Sequence, residues 1–148
     1  MSEKFDRVEV GHRFTGVHTF DEAQVRTFAS AAGDTNPLHH DIAFAEASRY
    51  GRLIASGTHT TALLLGLTAS HFSRMHSVVG ISFSVDLHRP VYADATVWME
   101  WEVIAVTHGD RGSQRVTLRG SMRDEVGEEC VAARGTIRVG APMNISNQ

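Results

Sequence analysis

The chain has 148 residues, 42% of them apolar and 21% charged, with a formal net charge of −3 and one cysteine, Cys130. That length suits one domain spanning residues 1–148 with a real core. The lack of a basic run speaks against a nucleic-acid partner, because neutralising phosphates takes clustered Lys and Arg. A single thiol rules out an internal disulfide framework and a cysteine-based zinc site. The start, "MSEKFDRVEVGHRF", has no apolar core of a secretory leader, and the most apolar run, "TALLLGL" at 61–67, is far too short to span a bilayer. The expectation is a reduced, cytoplasmic, soluble protein without a membrane partner.

In chain order, "RFTGVHT" (13–19) reads as a short strand. In "TFDEAQVRTFASAAG", Thr19 and Glu22 stand at capping-box spacing, and Val25, Phe28, Ala29 and Ala32 form one helical stripe that stops at Gly33. Pro37 pushes residue 36 out of the helical region. A second short helix fits residues 41–50, with Asp41 as its cap and Gly51 closing it. Residues 58–73 are apolar nearly all round at 62–67, the pattern of a central helix buried on every side, with 63–65 in the core.

Strands follow. Ile81, Phe83, Val85 and Leu87 alternate with polar neighbours. So do Val97, Met99, Trp101 and Val103, then Val116, Leu118 and Met122, then Val131, Ala133, Ile137 and Val139. "HGDRGS" and "EVGE" supply turns, so the last three strands read as an antiparallel meander. Helices first and strands afterwards argue an α+β fold, an antiparallel sheet folded round one buried helix.

The chemistry concentrates in "AAGDTNPLHHDIAFA" (31–45). Asp34, Asn36, Pro37 and His39 there either cap a tight turn or hold an acid and a base close together. The segment "FASAAGDTNPLHHDIAFA" resembles the signature of the MaoC-like, (R)-specific enoyl-CoA hydratase family: an aromatic residue, then Gly-Asp-x-Asn-Pro-apolar-His, then a small residue six places on. Phe28, Gly33, Asp34, Asn36, Pro37, Leu38, His39 and Ala45 fit it. "RLIASGTHTTALL" and "FSVDLHRPVYADATV" extend the likeness over roughly residues 8–140. The resemblance implies a hotdog fold, an antiparallel sheet wrapped around a long central helix. It also implies reversible syn hydration of a 2-enoyl-CoA to the (R)-3-hydroxyacyl-CoA. The family's catalytic pair falls on Asp34 and His39, five residues apart and stiffened by Pro37, with Asn36 able to orient the water. The member of the pair that takes the first proton stays open.

Gly57, 18 residues after His39, stands where the family places its oxyanion-hole amide. A glycine opening a helix offers a free N–H and no Cβ to an incoming oxygen. Ser56, Thr58 and His59 surround it, as substrate-binding groups or as first-turn residues. The resemblance asks for no cofactor beyond the CoA thioester substrate and for no metal; "HHD" at 39–41 lacks further ligands at useful spacing. Asp41 reads as a helix cap, His40 as a solvent-facing or interface residue, and Cys130 as inert packing. Arg74 and Arg89 are candidates for the CoA phosphates or for solvated faces.

Two other readings stand beside the hydratase. A hotdog thioesterase needs a carboxylate on or beside the central helix, and residues 58–73 hold no Asp or Glu. A non-catalytic acyl-thioester-binding or partner subunit would be free to lose Asp34, Asn36 and His39. One exposed sheet face and edge, and the family habit, imply at least a homodimer. "SGTHTT" departs from the common pattern of the short-chain enzymes, which have His before the glycine and larger apolar residues after it. A polar mouth suits a hydroxylated, branched or dicarboxylic acyl chain. The carrier, CoA or acyl-carrier protein, stays open.

Overall fold

In the computed structural model, which describes residues 7–142, five strands make one antiparallel sheet. They are β1 (Arg13–Thr19), β2 (Ser77–Leu87), β3 (Thr96–His108), β4 (Gln114–Arg123) and β5 (Glu129–Gly140), in the order β1-β3-β4-β5-β2. The absence of a secretory leader was read partly from residues 1–6, which lie outside the described residues. The β3-β4-β5 meander follows from the period-two pattern. Val97, Met99, Trp101, Val103, Val116, Leu118, Met122, Val131, Ala133, Ile137 and Val139 all face inward and are buried.

Of three helices, α3 (Gly57–Phe72) lies against the sheet, α1 (Glu22–Ala31) packs on α3, and α2 (Ile42–Ala47) packs on the turn at residues 37–39. Asp21, not Thr19, caps α1, its carboxylate accepting from the Gln24 N–H at 2.8 Å, so the capping-box reading was two residues early. Val25 and Ala29 are buried, Phe28 is half-buried and Ala32 is exposed, because the stripe runs out at the helix end. Asp41 caps α2, which stops at Ala47 rather than at residue 50.

The long α3 is docked by a buried polar contact as well as by apolar packing. Trp101, fully buried on β3, donates its indole N–H to the Leu64 carbonyl at 2.8 Å. Room for that ring comes from Gly120 on β4, where a Cβ would lie 2.6 Å from the indole. Gly135 on β5 makes the same hollow for Phe83, whose ring meets Trp101 edge-on. The expectation that α3 is buried on all sides does not hold within one chain. Leu64 is fully buried and Leu63, Leu65 and Leu67 are partly so, but Ala62 and Gly66 are exposed. Strand β2 is likewise half-open: Phe83 and Val85 pack inward, while Val79, Ile81 and Leu87 are exposed at 60%, 42% and 57%. Hydropathy registers that a surface is apolar and not whether it is covered.

Candidate functional site

The end of α1 launches the site. Gly33 takes φ +73°, the left-handed conformation that glycine adopts without a Cβ penalty. Its N–H bonds the Ser30 carbonyl at 3.1 Å, and the Asp34 N–H bonds the Ala29 carbonyl at 2.8 Å. This paired closure is a Schellman motif, and it fixes where Asp34 leaves the helix. The Asp34 carboxylate turns back through Oδ1, which accepts from the Asn36 N–H at 2.9 Å. Asn36 in turn caps a one-turn 3-10 helix, Pro37–His39, by accepting from the Leu38 N–H at 3.1 Å. Turn formation and site construction are therefore the same bonds here. Asn36 is exposed, and with one lone pair of its oxygen used in capping, its amide nitrogen and the second lone pair are left for a water.

His39, at the end of that turn, is buried. Its Nδ1 lies 2.8 Å from the Ile54 carbonyl. A carbonyl only accepts, so Nδ1 carries the hydrogen, and in the neutral ring Nε2 is the free base. Nε2 lies 3.4 Å from Oδ2 of Asp34, whose side chain is the more open of the two. The sequence pair is thus brought together, with the basic nitrogen of one group facing the free oxygen of the other.

The N-terminus of α3 shares a cleft with His39, whereas Asp34, Asn36 and Ser56 are not among the residues that line it. Ser56 is buried and caps the helix, its hydroxyl accepting from the His59 N–H at 3.2 Å. The Gly57 N–H has no hydrogen-bond partner among the described residues. A cleft of about 320 Å³ brings Gly57 and His39 together with Tyr50, Ile54, Thr60 and Leu87, and Arg49, His88 and Arg89 line it too. Leu87 covers Gly57 so closely that a Cβ there would collide with its Cδ1.

The other candidates fall in different places. Thr58 is exposed, and its hydroxyl meets that of Ser56 at 3.2 Å. His59 does not line the cleft: it is buried in the seam between α1 and β1, stacked on Phe28 at 4.3 Å and edge-on to Phe20. Its Nδ1 has no partner there, and burial, with His18 adding to it, pushes the imidazole below its ordinary pKa. His40 is not solvent-facing; it is half-buried and its Nε2 contacts the Asp34 carbonyl at 2.7 Å. Arg89 lines the cleft and pairs with Glu128 at 2.7 Å. Arg74 lies elsewhere, on a larger cleft of about 710 Å³ beside Phe72 and His76 at the far end of α3. Cys130 is buried, and desolvation pushes its thiol pKa up. Among the described residues no group of three or more His, Cys, Asp or Glu is placed to hold a metal. Tyr50, Ile54 and Thr60 were not read from the sequence. Ile54 acts through its backbone oxygen, which no residue type announces, whereas Thr60, one helical step from Gly57, was open to a spacing argument.

Comparison with known proteins settles the family. Residues 7–125 match the model of the family described as "MaoC like domain". The chain belongs to the MaoC-like family. It is 35% identical over 100 residues to the (R)-specific enoyl-CoA hydratase of Aeromonas caviae, covering 67% of this chain and 73% of that one. Among solved structures, the A. caviae (R)-hydratase involved in PHA biosynthesis superposes with a TM-score of 0.79 at 28% identity, over 88% of this chain and 96% of that one. The MaoC-like dehydratase of Rhodospirillum rubrum, 24% identical, shares the fold with a TM-score of 0.78 over 93% and 96%. The MaoC-like chain thus has the hotdog fold that the resemblance implied, a five-stranded antiparallel sheet against one long helix.

Proposed function

We propose that this MaoC-like chain is a hydratase/dehydratase of acyl thioesters, adding water reversibly and with syn geometry to a 2-enoyl-CoA to give the (R)-3-hydroxyacyl-CoA. The observation that carries the reading is the polarity of the dyad. With Nδ1–H spent on Ile54, Nε2 of His39 faces Oδ2 of Asp34 at 3.4 Å, and when the ring is neutral and the carboxyl ionised these are two acceptors. Two acceptors cannot satisfy one another, and a water donating one hydrogen to each can. The similarity to the A. caviae hydratase supports the same reaction class.

In this scheme the water oxygen bonds to Cβ as one of its protons passes to the dyad. The π electrons move toward Cα and the thioester oxygen, which the unpaired Gly57 N–H and the N-terminal end of α3 stabilise. The proton held by the dyad then goes to Cα from the face on which the oxygen arrived, which makes the addition syn. Thr60, Tyr50 and His88 give the cleft polar walls, which favour an acyl group carrying a polar substituent.

The exposed apolar residues of β2 and the open side of α3 support a homodimer, with the second copy covering what one chain leaves bare. No described helix is long and apolar enough to cross a membrane.

Asp34→Asn and His39→Ala, assayed by loss of enoyl-thioester absorbance across substrates of varied length and polarity, test the reading. Each should lower turnover by roughly 10²-fold or more. Near-wild-type turnover in either variant refutes the dyad, and release of free CoA in a thiol assay replaces hydration with thioester cleavage.

A further inference from the structure

The loop that carries the dyad is closed by a bond that the chemistry above does not use. His40 Nε2 lies 2.7 Å from the Asp34 carbonyl. The carbonyl only accepts, so His40 donates, and the bond persists whether the ring is neutral as the Nε2–H tautomer or charged. The His40 carbonyl in turn accepts from Arg26 Nε on α1 at 3.2 Å. Arg26 also lies 3.6 Å from Glu22, one turn back on the same helix.

The consequence is geometric. Asp34 opens the loop, and His39 and His40 close it. The Asp34 N–H is held by Ala29 and its carbonyl by His40, so the backbone on both sides of the carboxylate-bearing carbon is pinned. His39 is pinned separately by Ile54. Remove the His40 donor, and the Asp34 carbonyl loses its tie to the residue next to the catalytic imidazole. The Asp34–His39 separation then rests on the Schellman closure, the turn bonds of residues 36–41 and the His39 tie to Ile54, none of which holds the Asp34 carbonyl.

We propose that His40 is a positioning residue, setting the Asp34–His39 distance by clamping the Asp34 backbone to the far end of the loop. The proposal rests on the hydratase reading of the dyad. A misplacement on the scale of 1 Å in a reacting group costs about 10²-fold in rate. A purely structural residue would lower melting temperature without touching the chemistry, so the test reads the chemistry.

His40→Leu removes the donor and keeps bulk; His40→Gln retains an N–H donor on a flexible stem. With crotonyl-CoA, or the enoyl-CoA of the panel turned over fastest, His40→Leu is expected to lose about tenfold to a hundredfold in kcat with KM within about twofold. His40→Gln should recover most of the loss. In an Asp34→Asn background His40→Leu should cost nothing further. If the leucine variant does not fold, His40→Ala repeats the comparison. Wild-type kcat in the donor-less variant overturns the proposal, as does an equal loss in the glutamine variant or an additive loss in the double mutant. Asp34→Asn alone separates the two levels. If it retains turnover, the dyad reading itself has failed; if it is inactive while His40→Leu is normal, only the clamp has failed.

Discussion

Gly57→Ala places one methyl group at the mouth of the cleft, and the structure separates its two effects. The added Cβ collides with Leu87 Cδ1, while the next Leu87 atom, Cγ, lies at 3.6 Å. Leu87 is already 57% exposed, so it can swing away. Full burial of a leucine is worth about 1.5–3 kcal/mol, and losing the part still buried costs about 1 kcal/mol. Alanine in a first helical turn returns a fraction of that through helix propensity. The melting temperature should therefore move by no more than about 3 °C. The catalytic effect is of another size. The methyl would stand between a thioester oxygen and the unpaired N–H, and loss of one such donor costs on the order of 10²–10³ in kcat, about 2.7–4 kcal/mol. The assay is enoyl-thioester hydration beside thermal unfolding, with Leu87→Ala and the double variant as controls. A kcat/KM within about threefold of wild type refutes the role given to the amide. So does recovery in the double variant, which would trace the loss to Leu87 instead.

Three further outcomes are expected. His59 is buried with its pKa held below 6.5, first by desolvation and then by His18, so the unfolded chain takes up its proton more readily than the folded one. Its contribution is fully present above about pH 6.5 and is lost as the pH falls below it. His59→Phe, which retains a ring against Phe28, should raise the melting temperature and flatten its decline between about pH 7 and pH 5; an unchanged acid slope would leave His71, shifted in the same direction, as the responsible group. Gly120→Ala forces a Cβ to within 2.6 Å of the buried Trp101 ring and should lower unfolding free energy by about 1–3 kcal/mol in urea titrations, and a smaller loss would mean that the ring has room to retreat. Val79→Asp together with Ile81→Asp should convert the expected dimer to monomer in sedimentation velocity; unaltered sedimentation would move the interface off β2.

The strands were legible because alternation is a local property. Met99, Trp101 and Val103 need only their neighbours to declare a buried face. The dyad's spacing was legible for a similar reason, since six consecutive residues, Asp34 to His39, carry both groups and the turn between them. What stayed hidden depends on distant chain. The tautomer of His39 is set by a backbone oxygen 15 residues away, and His40 passes for a surface residue until its ring is seen on the Asp34 carbonyl. His59, two positions past Gly57, looked like part of the cleft, yet the turn of α3 carries it to the aromatic seam instead. The all-round apolar character of α3 was read correctly as chemistry and wrongly as burial within a single copy.

The two tryptophans of this chain lie three positions apart on β3, and so on opposite faces of the sheet. Trp98 is 45% exposed, whereas Trp101 is fully enclosed with its indole N–H bound to Leu64. The molecule therefore carries its own pair of optical reporters: an external one open to acrylamide quenching, and a shielded one whose emission colour shifts when the long helix parts from the sheet. Undocking of that helix becomes visible by fluorescence without any label.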